Sequence, residues 1–337
     1  MSTSFSTPDF YTLFSGSAGN SEYLGTPEGG VLIDMGRSCR QMEQQLAKIG
    51  VQPEAVQAIF ITHEHTDHCK GIKVWGKKYH TPVYASEGTL DALDEKGLLT
   101  DKFPAFSITD APFDLNPMTV TPFPTSHDCA EGMGFRFDFP NDTAVSIISD
   151  TGEITEEIRE TVAGTTLLYC ENDYNTDLLW CGKYPAELKA RIDSPTGHLS
   201  TAQVGQYARE LVESETPPQQ IVLGHLSEHN NDPEITERLV KLAVQDKCQV
   251  AVAQKEVPMQ YSIHPEISIQ KGEILDGTLP TQADEGVRHQ DAEELGRSAG
   301  QAAPDHPVRV SAEPDSGQPE AASGPSRSSQ NRRAVYR

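Results

Sequence analysis

Short apolar runs alternate with helix-like stretches along the chain. The runs at 10–14, 31–33, 58–61, 82–85, 144–148, 166–169, 221–223 and 249–253 are rich in β-branched residues and bounded by turn formers, which predicts strands. Between them, Met42, Leu46 and Ile49 fall on one helical face, and Gly50 follows as a C-terminal stop. Ser200 and Gln203 form a capping box that opens a helix over 201–213. In the stretch 70–79, Ile72, Trp75 and Tyr79 share one face, and Lys70, Lys73, Lys77 and Lys78 line the other. Sheets covered by helices are the expected architecture. Neither a repeat nor an internal linker interrupts this pattern before residue 265.

Composition changes the picture at the C-terminal end. Of the 67 residues in 271–337, 20 are Gly, Pro or Ser and only eight are Ile, Leu, Val or Phe. Such a segment buries too little apolar surface to offset its ordering entropy, so a folded domain over 1–270 and a disordered tail over 271–337 are expected. The whole chain carries −23 and the tail −3, leaving about −20 on the domain. That field excludes a broad basic surface for nucleic acid or anionic lipid, though not a local basic patch. No apolar stretch approaches the roughly 18 residues of a membrane span, and residues 1–19 lack the basic and apolar regions of a secretory signal. The six cysteines include no Cys-x-x-Cys pair, which argues against a thiolate zinc site or a disulfide framework and fits a reducing cytoplasm.

The chemistry concentrates where the strand at 58–61 ends, in Thr62-His63-Glu64-His65-Thr66-Asp67-His68. In extended backbone, side chains two apart point the same way, so His63, His65 and Asp67 converge on one pocket while His68 projects to its side. Imidazoles and a carboxylate suit zinc, or manganese or iron where oxygen ligands dominate. The alternative is a solvated polar loop with chance histidines.

His-x-His-x-Asp-His after an apolar strand resembles the signature of the metallo-β-lactamase-fold hydrolases. Further positions that this resemblance requires occur in order. His127 follows the run 118–123, Asp150 ends the strand at 144–148, and His225 ends Ile221-Val222-Leu223-Gly224. The resemblance implies that His63, His65 and His127 hold one metal, that Asp67, His68 and His225 hold the other, and that Asp150 bridges them. It also implies a four-layer αββα sandwich with the site at one edge between the sheets. Two divalent ions about 3.5–4 Å apart clamp the attacking and leaving oxygens of a displacement.

A narrower resemblance rests on Ser15-Gly16-Ser17-Ala18-Gly19-Asn20-Ser21, Cys170-Glu171-Asn172-Asp173, Gly197-His198-Leu199-Ser200 and Gly224-His225-Leu226-Ser227-Glu228-His229-Asn230-Asn231. Together these are similar to the YycJ (WalJ) branch of the fold over about residues 10–264. That likeness implies a cytoplasmic metal-dependent hydrolase with 5′-exonuclease activity on DNA. Gly-His-Leu-Ser occurs twice. His225 ends a strand and suits a ligand, whereas His198 lies in a loop that resembles the tRNase Z-type members, where a histidine paired with a glutamate, here Glu171, protonates the leaving oxygen. Asp67, Glu171 and His198 are therefore the expected catalytic set. Ser17, Asn20, Lys70 and Lys73 are the expected contacts to substrate phosphate, the loop 15–20 through backbone N–H donors. Hydrolysis of a small phosphodiester, thioester or lactam, and a metal-binding regulatory role without catalysis, remain as alternatives. The oligomeric state is left open.

Overall fold

The computed structural model describes residues 8–263 and the short strands at 273–274 and 334–335. β1 (Asp9–Phe14), β2 (Ser21–Thr26), β3 (Gly29–Ile33), β4 (Val56–Phe60), β5 (Val83–Ala85) and β6 (Ala105–Ser107) build one sheet. β7 (Phe113–Leu115), β8 (Met118–Pro124), β9 (Met133–Asp138), β10 (Ala144–Ile148), β11 (Leu167–Glu171), β12 (Gln220–Gly224) and β13 (Gln249–Val252) build the other. β14 (Met259–Ser262) returns to the first sheet, antiparallel to β1. Two dipeptides of the predicted tail, β15 (Glu273–Ile274) and β16 (Ala334–Val335), pair at its two edges, and the remainder of that tail lies outside the described residues.

Both sheets begin antiparallel and turn parallel, through β3–β6 in the first and β10–β13 in the second. Parallel strands are covered on both faces, and β10, β11 and β12 are buried along their whole length. Phe10, Val31 and Phe60 of the first sheet meet Phe135, Val145 and Val222 of the second in the central core. On the outer face of the first sheet, Leu32 and Ile59 pack against Met42 and Leu46 of α1 (Cys39–Lys48), Trp75 of α3 (Ile72–Tyr79) and Leu90 of α4 (Glu87–Glu95). On the second, Leu168 and Ile221 pack against α5 (Glu156–Val162), α8 (Thr201–Glu213) and α9 (Pro233–Val244). The layers are αββα. Between β11 and α8, α6 (Thr176–Cys181) and α7 (Ala186–Ile192) close a small separate cluster around Tyr174, Leu179 and Ile192.

The expected capping box of Ser200 with Gln203 is formed, and the structure adds a second, Ser38 with Gln41, at the start of α1. Gly50 adopts φ 75° just beyond the C-cap of α1, the left-handed stop a glycine takes at little cost. The lysine-bearing stretch 70–79 departs from a single helix. α2 (Thr66–Cys69) ends at Lys70, and α3 starts after Gly71. A Cβ on Gly71 would lie 2.3 Å from the Arg37 carbonyl oxygen, so the junction packs too closely for any other residue. Among the described residues no helix is long and apolar enough to cross a membrane.

Candidate metal centre

The sequence-predicted ligands converge. His63, His65, Asp67 and His68 follow β4, His127 follows β8, Asp150 follows β10 and His225 follows β12. His63, His65, His127 and Asp150 offer ligand atoms that all lie within 4.8 Å of one another, and so do Asp67, His68 and His225. Asp150 Oδ2 stands 3.6 Å from His63 Nε2, 3.6 Å from His127 Nε2 and 3.5 Å from His68 Nε2, while Asp150 Oδ1 stands 3.5 Å from His225 Nε2. Asp67 Oδ2 lies 3.4 Å from His68 Nε2 and 3.6 Å from His225 Nε2. His65 Nδ1 is 3.3 Å from His127 Nε2. Donors about 2.1 Å from a tetrahedral ion stand about 3.4 Å apart. The observed separations match that spacing in both groups, with Asp150 shared between them.

Several of these nitrogens have no other use. His63 Nε2 and both ring nitrogens of His225 are buried without a hydrogen-bond partner, which is costly unless something else occupies them. Other groups fix the remaining rings. His68 Nδ1 donates to Asp34 Oδ2 at 2.7 Å and His127 Nδ1 donates to the Gly197 carbonyl at 2.9 Å, which turns each Nε2 toward the centre as a lone-pair donor. The residues present therefore fit divalent cations.

Local backbone conformation aims these side chains. Asp34, Asp150 and His225 have φ of 58°, 39° and 55°, left-handed values that cost a non-glycine residue roughly 1–3 kcal/mol. Each immediately follows a strand or lies one residue beyond it, where the reversal swings the side chain back over the strand end. Asp34 also accepts from the Thr62 N–H and hydroxyl, both at 2.8 Å, which fixes the chain just before His63. At Gly36 a Cβ would lie 1.7 Å from the Asp67 carbonyl oxygen, so only glycine lets the two loops close.

The carboxylates and imidazoles of the site shift one another's proton affinity. Burial would raise Asp150, but the imidazoles of His225, His68 and His63 hold it well below the usual carboxylate range. Burial would likewise raise Asp67, and His68 lowers it. Burial opposes protonation of His68, yet Asp150, Asp34 and Asp67 lift it well above the ordinary value. His63, also buried, is driven well below it. A cation entering such a site displaces protons from the imidazoles.

Glu171 and His198 stand beside this cluster. His198 Nδ1 donates to Glu171 Oε2 at 3.0 Å, and the other carboxylate oxygen accepts the Thr151 N–H. Burial would lower His198, but Glu171 overcomes it and lifts the imidazole to about 10. Asp150, Glu171, His198 and His225 also lie close enough to form a third ligand group. The hydrogen bonds separate the two histidines: His198 Nδ1 is committed to Glu171, whereas His225 Nε2 faces both Asp67 and Asp150.

Residues 30–226 match the family model described as a β-lactamase superfamily domain. The chain belongs to the metallo-β-lactamase-fold members of that superfamily. It is 33% identical over 240 residues to exodeoxyribonuclease YycJ of Bacillus anthracis, covering 71% of this chain and 89% of that protein. It is 32% identical over 227 residues to exodeoxyribonuclease WalJ of Streptococcus pneumoniae, covering 66% of this chain and 83% of that one. The metallo-β-lactamase fold protein YhfI from Bacillus subtilis superposes with a TM-score of 0.59 at 16% identity, over 75% of this chain and 100% of YhfI. This YycJ/WalJ-like protein is a metal-dependent hydrolase that binds divalent metal.

The expected phosphate contacts fare differently. Ser17, Lys70 and Lys73 are exposed. Asn20 is only 1% exposed; its Oδ1 accepts the Gly16 N–H at 2.8 Å and its Nδ2 lies 3.2 Å from His68 Nε2. The N–H groups of Ser15, Gly16, Gly19 and Asn20 are spent inside the protein, so these four brace the site, while Ser17 and Ala18 form the exposed tip of the loop. Lys78 is paired with Glu43 at 2.9 Å. Two supporting roles are not read from the sequence, that of Asp34 and that of the Ser15 hydroxyl. Asp34 ends its strand as Asp150 does, which was the available signal. Ser15 Oγ accepts the His225 N–H at 2.8 Å across 210 positions, a contact without a local signature.

Proposed function

We propose that the protein is a two-metal phosphodiesterase that cleaves DNA, as a 5′-exonuclease. In this assignment His63, His65 and His127 would hold one ion, Asp67, His68 and His225 would hold the other, and Asp150 would serve both; zinc and manganese suit the donors. Ions bound there would supply an activated water and neutralise charge on the phosphate. Asp67, from the second group, orients that nucleophile. Glu171 holds His198 protonated and oriented, and His198 delivers its Nε2 proton to the leaving oxygen. The Glu171–His198 pair beside a shared Asp150 carries this assignment, because a leaving alkoxide needs a proton donor. The exodeoxyribonuclease names of the relatives support the substrate. Free cysteines at all six positions suit a reducing cytoplasm.

End-labelled single- and double-stranded DNA and RNA, digested with and without chelator and after addition of zinc or manganese, test the assignment. Release of mononucleotides from DNA 5′ ends, abolished by chelator, is expected; chelator-resistant cleavage or hydrolysis of non-phosphate esters alone refutes it. Elemental analysis should find two metal equivalents, and fewer in Asp150→Ala, which removes the carboxylate that offsets repulsion between two dications.

A further inference from the structure

The chain has two tryptophans. Trp75 is fully buried and donates to Thr81. Trp180, at the end of α6, is 47% exposed. An exposed indole is usually loosely held, but this one is pinned. Its Nε1–H donates to Asp193 Oδ2 at 2.8 Å, and the other oxygen of Asp193 accepts the Tyr174 hydroxyl. Its own carbonyl accepts from Lys189 Nζ at 2.8 Å, and Lys189 is itself buried. With the N–H consumed internally, what Trp180 presents to solvent is apolar ring surface without hydrogen-bonding capacity.

This anchor is continuous with the catalytic loop. Asp193 caps α7, and the Ile192 carbonyl accepts the His198 N–H at 2.9 Å. Ser126 Oγ donates to the Pro195 carbonyl at 2.8 Å, next to His127. On the same helix Arg191, with its side chain 53% exposed, pairs with Asp128, which adjoins His127. An immobilised aromatic surface is thus tied to the segment that leads into His198, and a guanidinium to the neighbour of His127.

We propose that Trp180 is a stacking platform for an unpaired base of the substrate strand, with Arg191 placed to meet an adjoining phosphate. The inference rests on the nucleic-acid assignment above. Every base has a π-face, so such a subsite holds a strand without reading its sequence. It also supplies affinity that a protein of −23 net charge does not gain from a broad basic surface.

The metal-loaded full chain is titrated with a short single-stranded oligonucleotide while tryptophan fluorescence is recorded, and steady-state kinetics are measured on that oligonucleotide and on a small chromogenic phosphodiester. Quenching is expected in the wild type and its loss in Trp180→Phe, because Trp75 is shielded. Trp180→Ala should weaken oligonucleotide binding by about 5- to 150-fold and raise KM while kcat changes little. Trp180→Phe should restore most of the affinity and Trp180→Leu should not; in each variant any loss on the small ester, through the lost bond to Asp193, should be much smaller than the loss Trp180→Ala shows on the oligonucleotide. Unaltered oligonucleotide binding by Trp180→Ala, equal rescue by leucine, or an equal loss on the small ester overturns the subsite. Concentration-dependent dimers that Trp180→Ala dissolves, with oligonucleotide binding unaltered, reassign the surface to a second copy. If the wild type hydrolyses the small ester but neither binds nor cleaves the oligonucleotide, the nucleic-acid assignment itself falls, a result distinct from failure of the platform alone.

Discussion

His198 and His225 share the tetrapeptide Gly-His-Leu-Ser and differ in what their rings touch. His225 leaves β12 in left-handed backbone, with Nε2 between Asp67 and Asp150. His198 gives its Nδ1–H to Glu171. His225→Ala should therefore lower metal content by elemental analysis, whereas His198→Ala should keep it and slow phosphodiester cleavage by roughly 10²–10⁴-fold. A substrate with a very good leaving group needs little protonation and should be spared by His198→Ala. The pH profile adds a sign. A general acid works only while protonated, so activity falls as pH rises through the His198 pKa. Glu171 raises that pKa, and Glu171→Gln should move the alkaline limb to lower pH. An unmoved limb, or metal loss in His198→Ala with retention in His225→Ala, contradicts these roles.

At the level of elements, legibility followed from how local the signal was. The strands that deliver the ligands were readable because apolar runs end abruptly in His or Asp. β2 was not: Ser21-Glu22-Tyr23-Leu24-Gly25-Thr26 is buried on both faces through Leu24, so no alternation marks it, and it carries a buried glutamate that strand statistics disfavour. Burial, with Asp34 beside it, raises Glu22 well above the usual carboxylate range. The α6–α7 unit went unseen for a similar reason, since it is held by side-chain bonds to Asp193 and Lys189 more than by an apolar stripe. Of the two capping boxes, Ser200–Gln203 is read from the sequence and Ser38–Gln41 emerges only in the structure, and the two make an internal control. Ser38→Ala and Ser200→Ala each remove one box and should cost about 1 kcal/mol, or about 2–4 °C in Tm. Only Ser200→Ala should also reduce activity, because its box partner Gln203 donates to the Gly152 carbonyl at 3.1 Å and Ser200 lies two residues from His198. Equal activity loss in both variants would show that the effect is general destabilisation.

For the molecule as a whole, charge and the C-terminal segment set the remaining expectations. Deleting 271–337 removes two dipeptide strands from sheet edges and few apolar residues, so melting temperature and basal hydrolysis should change little; a large fall in either shows that the segment contributes to the domain. The deletion also removes Arg332, Arg333 and Arg337, which makes it a test of whether the tail supplies phosphate contacts. Most nucleic-acid-binding proteins lose affinity steeply with salt because many lysines and arginines release counterions, with a log–log slope near −0.7 per phosphate contact on single strands. Here the domain carries about −20, and its long-range field repels DNA. Salt screens that repulsion over a Debye length of about 8 Å at physiological ionic strength, which partly offsets the loss of the few direct contacts. With one or two phosphate contacts, raising salt from about 50 to 200 mM should weaken oligonucleotide binding by less than about tenfold, and the tail deletion should leave that slope unchanged. A loss of about a thousandfold over the same range would instead require about seven phosphate contacts, and would place an extended basic track on a surface whose composition argues against one.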